Sequence, residues 1–291
     1  MPHILKNTNL EIHIDHPLEG YRFSRFDWTG KIPVVKFRNI ALYTTERTDD
    51  VDEYDFGKGY YNEFGIDSAL GFDETPIGGW FHKIGVGLLK KEKDAYLFHK
   101  RYEIDPASFD MNGSPGKVLI HCISKQVNGY AYVLKKEIKL LESGFTIHYT
   151  LENTGEKEIR TSEYVHNFIA IARDLMGSGY LLTFPFPCNP SERVNPEGKV
   201  DVGPHAYTFN DTPTDQFFYG NLSANEFVEA SWELINKKAK IGIRETGSFQ
   251  TNKINLWGWR HVISPELFFH LHVKSGQSVS WSRSWDIFEI H

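Results

Sequence analysis

Phe145, Ile147, Tyr149 and Leu151 alternate without a break with Thr146, His148, Thr150 and Glu152. A period of two over this length fits an extended strand with one dry face and one wet face, because successive side chains leave a strand on opposite sides. The pattern recurs along the chain. Leu10, Ile12 and Ile14 line one side of a first strand, and Ile32 to Thr44 reads as one or two more. Val118 to Ser124 and Tyr130 to Leu141 flank an Asn128-Gly129 turn, and Ser143-Gly144 turns the chain again. Asn153-Thr-Gly-Glu156 is expected to close a hairpin. Trp232 to Arg244 reads as strand, turn and strand about Asn236-Lys-Lys238. Leu267, Phe269, Leu271 and Val273 alternate with Phe268, His270, His272 and Lys274, and Gly276 leads into Val279 to Ile287. The prolines from Pro185 to Pro213 leave room only for loops and short edge strands. No helical period, repeat or linker interrupts this. The expectation is one all-β domain over residues 1–291, a large antiparallel β-sandwich with few or no long helices. Aromatics make up 14% of the chain, which suits strands.

Charge narrows the partners. The net charge is -6 and no long basic run exists, which speaks against nucleic acid and anionic membranes. No apolar run approaches the ~18 residues of a spanning helix. The start Met-Pro-His-Ile-Leu-Lys lacks an apolar signal segment. Cys122 and Cys188 are the only cysteines, so free thiols in the cytoplasm are expected.

Two polar clusters set among aromatics mark a candidate site. One is Ser162-Glu-Tyr-Val-His166-Asn-Phe168, and the other is Trp257-Gly-Trp-Arg-His-Val-Ile-Ser-Pro-Glu266. Neither a nucleophile elbow nor a zinc-protease motif is present. Gly57-Lys-Gly59 lacks the third glycine of a dinucleotide fingerprint. A histidine and a carboxylate remain, and that pair suits proton transfer. Histidine titrates near neutrality, and a carboxylate partly desolvated between Trp257 and Trp259 is a stronger base than in water. Plainer roles stay open: a buried histidine bonded to a carbonyl, and a strand-end surface carboxylate. Arg25 and Asp27, interleaved with Tyr21, Phe23, Phe26 and Trp28, read either as a surface ion pair or as a polar face lining a cavity. Gly57 to Gly65 reads as a loop that presents Asn62 and Glu63 to a ligand. His82 and Lys83 alternate, so only one can face a cleft. Glu163 completes the binding candidates. The acidic run Asp49, Asp50, Asp52, Glu53 and Asp55 lacks calcium-site spacing and reads as a solvated loop. His270 and His272 share a strand face, but no third ligand is supplied nearby, so no metal is expected.

In length, β content and the order of these clusters, the chain resembles the aldose 1-epimerases (mutarotases) of the galactose-mutarotase-like superfamily. His166-Asn-Phe168 looks like that family's general-acid setting. Glu266, followed by Ser275-Gly-Gln277 and Trp281, is similar to its general-base setting, and Arg25 best matches its sugar-touching arginine. The chain departs from the family where Val-His-Asn-Phe-Ile-Ala-Ile replaces Asn-His-Ser-Tyr-Phe-Asn-Leu. It departs again where His82 follows Gly78-Gly79 instead of preceding it. Asp215 is the nearest match to the central aspartate. The resemblance implies the mutarotase supersandwich fold. It implies that His166 protonates the ring oxygen of an aldose while Glu266 takes the anomeric proton, with no cofactor. The partner would be a small-molecule sugar or sugar phosphate, with Arg25, Lys83, Lys253 and Arg260 the cations a phosphate would need. The protein would be a monomer or homodimer. The alternatives are a non-catalytic sugar-binding or regulatory protein and a carbohydrate hydrolase or lyase. A hydrolase would need Glu63 or Glu163 as its second carboxylate.

Overall fold

Two layers of antiparallel strands carry the chain, as the period-two text predicts. The computed structural model describes residues 2–49, 52, 54–194 and 198–290; Asp50 and Glu53 of the acidic loop and Pro196 lie outside them. Among the described residues there is no α-helix, and the single helical turn is a 3-10 turn at Ile171–Arg173. No described helix is long and apolar enough to cross a membrane.

The first layer is a ten-stranded sheet. Its order is Val200–Val202, Ala206–Phe209, Tyr180–Thr183, Val228–Asn236, Ile241–Thr251, Ser278–Glu289, Gly144–Asn153, Tyr132–Leu140, Lys117–Ile123 and Ser108–Ser114. Ser278–Glu289, late in the chain, therefore sits inside the sheet between strands from its two halves. The short strands of the proline-rich passage lie at one edge.

The second layer holds Phe269–Val273, Ile159–Phe168 and Gly59–Phe64 in one sheet. Glu192–Val194, Phe217–Gly220, Ile254–Trp259 and Val262–Leu267 form another. An Ile169–Ile263 bridge joins the two. Between the layers Tyr60 meets Phe145 and Trp285 edge-on, with ring centroids 5.5 and 5.7 Å apart, and Phe64 meets Trp281. A second aromatic cluster, including Tyr21, Phe26, Tyr61 and Phe168, covers the far face of the second layer. Gly59–Phe64 and Val262–Leu267 are consequently buried on both faces.

Two local expectations need correction. Gly59–Phe64 is a strand and not a ligand-side loop: Tyr60, Tyr61 and Phe64 give it apolar surface to bury on both sides. The turn at residues 153–156 closes no hairpin. It carries the chain from the first layer to the second, where Ile159–Phe168 pairs with Gly59–Phe64 and Phe269–Val273.

Candidate active site

Alternation along Ile159–Phe168 decides which of its polar side chains reach the cleft. Glu163 and Asn167 face the first layer. Tyr164, His166 and Phe168 face the other way, where His166 stacks on Phe168 with centroids 4.1 Å apart and meets Trp257 edge-on at 5.3 Å. Val262–Leu267 runs beside this strand and offers Ser264 and Glu266, two residues apart and so on one face.

Pro265 shapes the junction. Ile169 and Ile263 exchange both backbone hydrogen bonds. The next such pair would be Asn167 and Pro265, and proline has no N–H. The ladder therefore stops. The Asn167 N–H donates to Ser264 Oγ at 3.0 Å, and Asn167 Nδ2 donates to the Pro265 carbonyl at 2.8 Å. Just past this gap His166 Nε2 lies 3.3 Å from Glu266 Oε1, and His166 Nδ1 lies 2.8 Å from Ser264 Oγ. The side chains of His166 and Glu266 are only 4% and 5% exposed, and what they expose faces a cleft of about 690 Å³. That volume suits a small ligand.

Burial sets the electrostatics. It pushes the Glu266 carboxyl up to about 8, against the pull of the Arg25 charge and a hydrogen bond from the Asn255 side chain. It holds His166 well below its ordinary value, and Arg25 adds to that. The site therefore favours an uncharged imidazole. Arg25 reaches the cleft anchored from behind: Nε donates to Glu63 at 2.9 Å, Nη1 to Glu46 at 3.1 Å and Nη2 to the Tyr164 hydroxyl at 3.2 Å. Burial works against its charge, but Glu63, Tyr164 and Glu46 outweigh it.

Of the residues nominated from sequence, His166, Glu266, Arg25, Trp257 and Lys253 come together at the cleft. The rest do not. Asp27 is buried in an ion pair with Lys136, and Lys136 also binds Asn62. Asn62 in turn bonds Glu163, which pairs with Arg283 at 2.8 Å. Glu63 is fully buried between Arg25 and Lys83; burial raises its carboxyl, but the two cations outweigh this and hold it below the usual range. Lys83 also donates to the Tyr96 hydroxyl. His82 is enclosed by Tyr130 and Tyr132, and burial lowers it to about 4. Neither member of the His82–Lys83 alternation lines the cleft. Trp259 turns aside to donate to the Thr214 carbonyl, and Asp215 is exposed beside it. His270 and His272 share an exposed face, and His272 bonds Glu158 at 2.7 Å. Among the described residues no three metal-ligating side chains gather.

Sequence reasoning missed Glu46, Asn255, Gln216 and Phe98, which also line the cleft. Asn255 was reachable. It lies two residues before Trp257 on the same strand face, and the register sets it beside Glu266. Glu46, Gln216 and Phe98 come from connecting segments and carry no periodic signal.

Each cation considered for a phosphate is already matched or lies off the cleft. Arg25 serves Glu46 and Glu63, and Lys253 donates to Asp67 at 2.7 Å. Lys83 is behind the cleft, and Arg260 lies over the Trp259 ring.

No protein-family model and no curated protein sequence matches the chain. Solved structures do match its fold over nearly all of their length and its own. A galactose mutarotase related enzyme from Lactobacillus acidophilus aligns with a TM-score of 0.61 at 12% identity, covering 100% of both chains. A galactose mutarotase-like protein from Lactobacillus casei aligns at 0.59 and 13%, covering 99% of this chain and 100% of the other. An aldose epimerase homologue from C. elegans aligns at 0.58 and 9%, covering 100% of each. The fold is the galactose-mutarotase-like β-sandwich.

Proposed function

We propose that this chain is an isomerase of the aldose 1-epimerase type, equilibrating the α and β anomers of a free aldose by opening and reclosing the pyranose ring. The observation that carries the reading is the 3.3 Å contact between His166 and Glu266 on the floor of a ligand-sized cleft. In a pyranose the ring oxygen and the anomeric hydroxyl hang from one carbon. A donor and an acceptor this close can address both at once. Glu266 takes the proton of the anomeric hydroxyl while the His166 N–H serves the ring oxygen. Arg25 and the Trp257 ring keep the open form in place for reclosure. The matched cations favour a free sugar over a sugar phosphate. Glu63 and Glu163 are committed to buried partners, which weighs against a hydrolase built on two carboxylates. The two free thiols suit a cytoplasmic setting.

Anomer exchange measured by NMR on a panel of free aldoses and their 6-phosphates tests the reading. Fast exchange of a free sugar, lost in Glu266→Gln and His166→Asn, is the expected result. Saturable binding with no accelerated exchange of any sugar would replace it with a non-catalytic sugar-binding role.

A further inference from the structure

We infer that Ser264 is a positioning residue that fixes His166 as the Nε2–H tautomer, so that the histidine meets the sugar as an uncharged N–H donor and Glu266 alone carries the travelling proton. The catalytic half of this inference rests on the isomerase reading; the tautomer itself does not.

Hydrogen-bond accounting leads to it. A serine hydroxyl has one proton to give and two lone pairs to receive with. Ser264 is wholly buried, so each of these matters. The Asn167 backbone N–H can only donate, and it donates to Ser264 Oγ. The other partner of Oγ is His166 Nδ1. Were Nδ1 protonated, Oγ would accept twice and the serine proton would have no acceptor among the described residues. Donation from Oγ to Nδ1 leaves nothing over. The Asn167 N–H feeds Oγ and the Ser264 O–H feeds Nδ1, which leaves the ring proton on Nε2, with Glu266 Oε1 3.3 Å away beside the cleft. The Asn255 side chain bonds the Glu266 carboxyl. The donors at Ser264 run one way, from the Asn167 N–H to His166 Nδ1. An imidazolium would have to turn Ser264 around, within a ring box closed by Phe168 and Trp257.

The proton then follows one path. Glu266 takes it from the anomeric hydroxyl as the C1–O5 bond breaks and the C1=O1 bond forms. The His166 N–H bonds to the departing O5 and stabilises its developing charge. The protonated Glu266 passes the same proton to O5, giving the open aldehyde. Rotation about C1–C2 and the reverse sequence close the ring on the other face. Nothing is oxidised or reduced, and His166 stays neutral throughout.

Long-range ¹⁵N–¹H NMR on protein with labelled histidine reads the tautomer directly, with the His166 signals assigned by their loss in His166→Asn. Near neutral pH the expected spectrum shows a protonated Nε2 and a bare Nδ1. A protonated Nδ1 in the wild type overturns the inference, whether or not any variant folds. Ser264→Ala is expected to mix the tautomers and to slow exchange at saturating sugar by about tenfold or more, with half-saturation little changed. Ser264→Thr, which keeps the hydroxyl, is expected to hold the wild-type tautomer. An unchanged tautomer in Ser264→Ala would also overturn the assignment. The expected spectrum without accelerated exchange of any sugar would sink the isomerase reading and leave the tautomer-setting role of Ser264 standing.

Discussion

One strand builds two polar clusters, one on each of its faces. Towards the first layer, Glu163 and Asn167 join Asp27, Asn62, Lys136, Glu245 and Arg283 in a closed network. Arg283 pairs with Glu163 at 2.8 Å and with Glu245 at 2.7 Å, while Glu245 also receives bonds from Asn167 and the Trp232 indole. Towards the cleft, His166 meets Glu266 at 3.3 Å with a space of about 690 Å³ above them. The residue types and the depth of burial are alike. The difference is completeness. In the first cluster each named charge faces a fixed opposite charge. In the second, the Glu266 carboxyl has a neutral imidazole and an amide for company. Burial raises the carboxyls of both Glu245 and Glu266, but only Glu266 opens onto a cleft where a ligand can meet its proton.

The largest expected effect breaks the closed cluster. Arg283→Ala strands Glu163 and Glu245 inside the sandwich and should cost about 3–5 kcal/mol in urea unfolding. A cost below about 1 kcal/mol would mean the network is not the closed unit described. The matching change in the open cluster, Glu266→Gln, removes the need to keep a buried carboxyl protonated, so it should not lower the urea midpoint near neutral pH, yet it should slow anomer exchange by about 10²–10⁴-fold.

The pH dependence sharpens the contrast. The folded-state pKa of Glu266 lies near 8, above its ordinary value of 4.5, so the folded protein holds this proton where the unfolded chain has released it. The Glu266 contribution to stability is therefore full below about 4.5 and declines as pH rises towards 8. On the proposed mechanism exchange should do the opposite and rise as pH approaches 8, with the carboxylate as the base and a neutral His166 needing no added proton. Exchange that falls over this range would point to an imidazolium acid. Unfolding followed against pH should show the declining contribution in the wild type and lose it in Glu266→Gln. The smallest effect belongs to the cleft wall: Trp257→Ala should weaken sugar binding by about 1 kcal/mol in a titration and, because the ring helps hold the open form, slow exchange at saturation by only about a few-fold.

The sandwich was legible because alternation is written residue by residue. Phe145 to Glu152 needs no partner to declare itself a half-buried strand. The lining of the cleft was legible only at His166, Glu266, Arg25, Trp257 and Lys253, and for the first three largely through family likeness. Asp27, Asn62, Glu63, His82, Lys83 and Glu163 all looked like cleft residues, because a polar side chain among aromatics reads the same whether it points at a ligand or at a buried partner. Alternation says which residues share a face; it does not say what covers that face. For Gly59–Phe64, covered on both sides, it gave no guidance. The role of Pro265 was hidden for a related reason. A missing N–H matters only once the neighbouring strand is known to be Ile159–Phe168.

The place of Ser278–Glu289 inside the ten-stranded sheet governs the order in which this molecule can come into being. Gly144–Asn153 and Ile241–Thr251 are not neighbours; each pairs with Ser278–Glu289. A growing chain can finish both flanking strands and still hold the sheet as two pieces, each with an unsatisfied edge. Arg283, which pairs with both Glu163 and Glu245, arrives on the same late strand. The sheet and the interior charges are thus completed in one late step, after almost every other strand has been made. Such non-local closure is slow, and the waiting edges invite pairing with other chains. For a nascent copy of this protein, the hazardous interval is the time between the synthesis of Ile241–Thr251 and the docking of Ser278–Glu289.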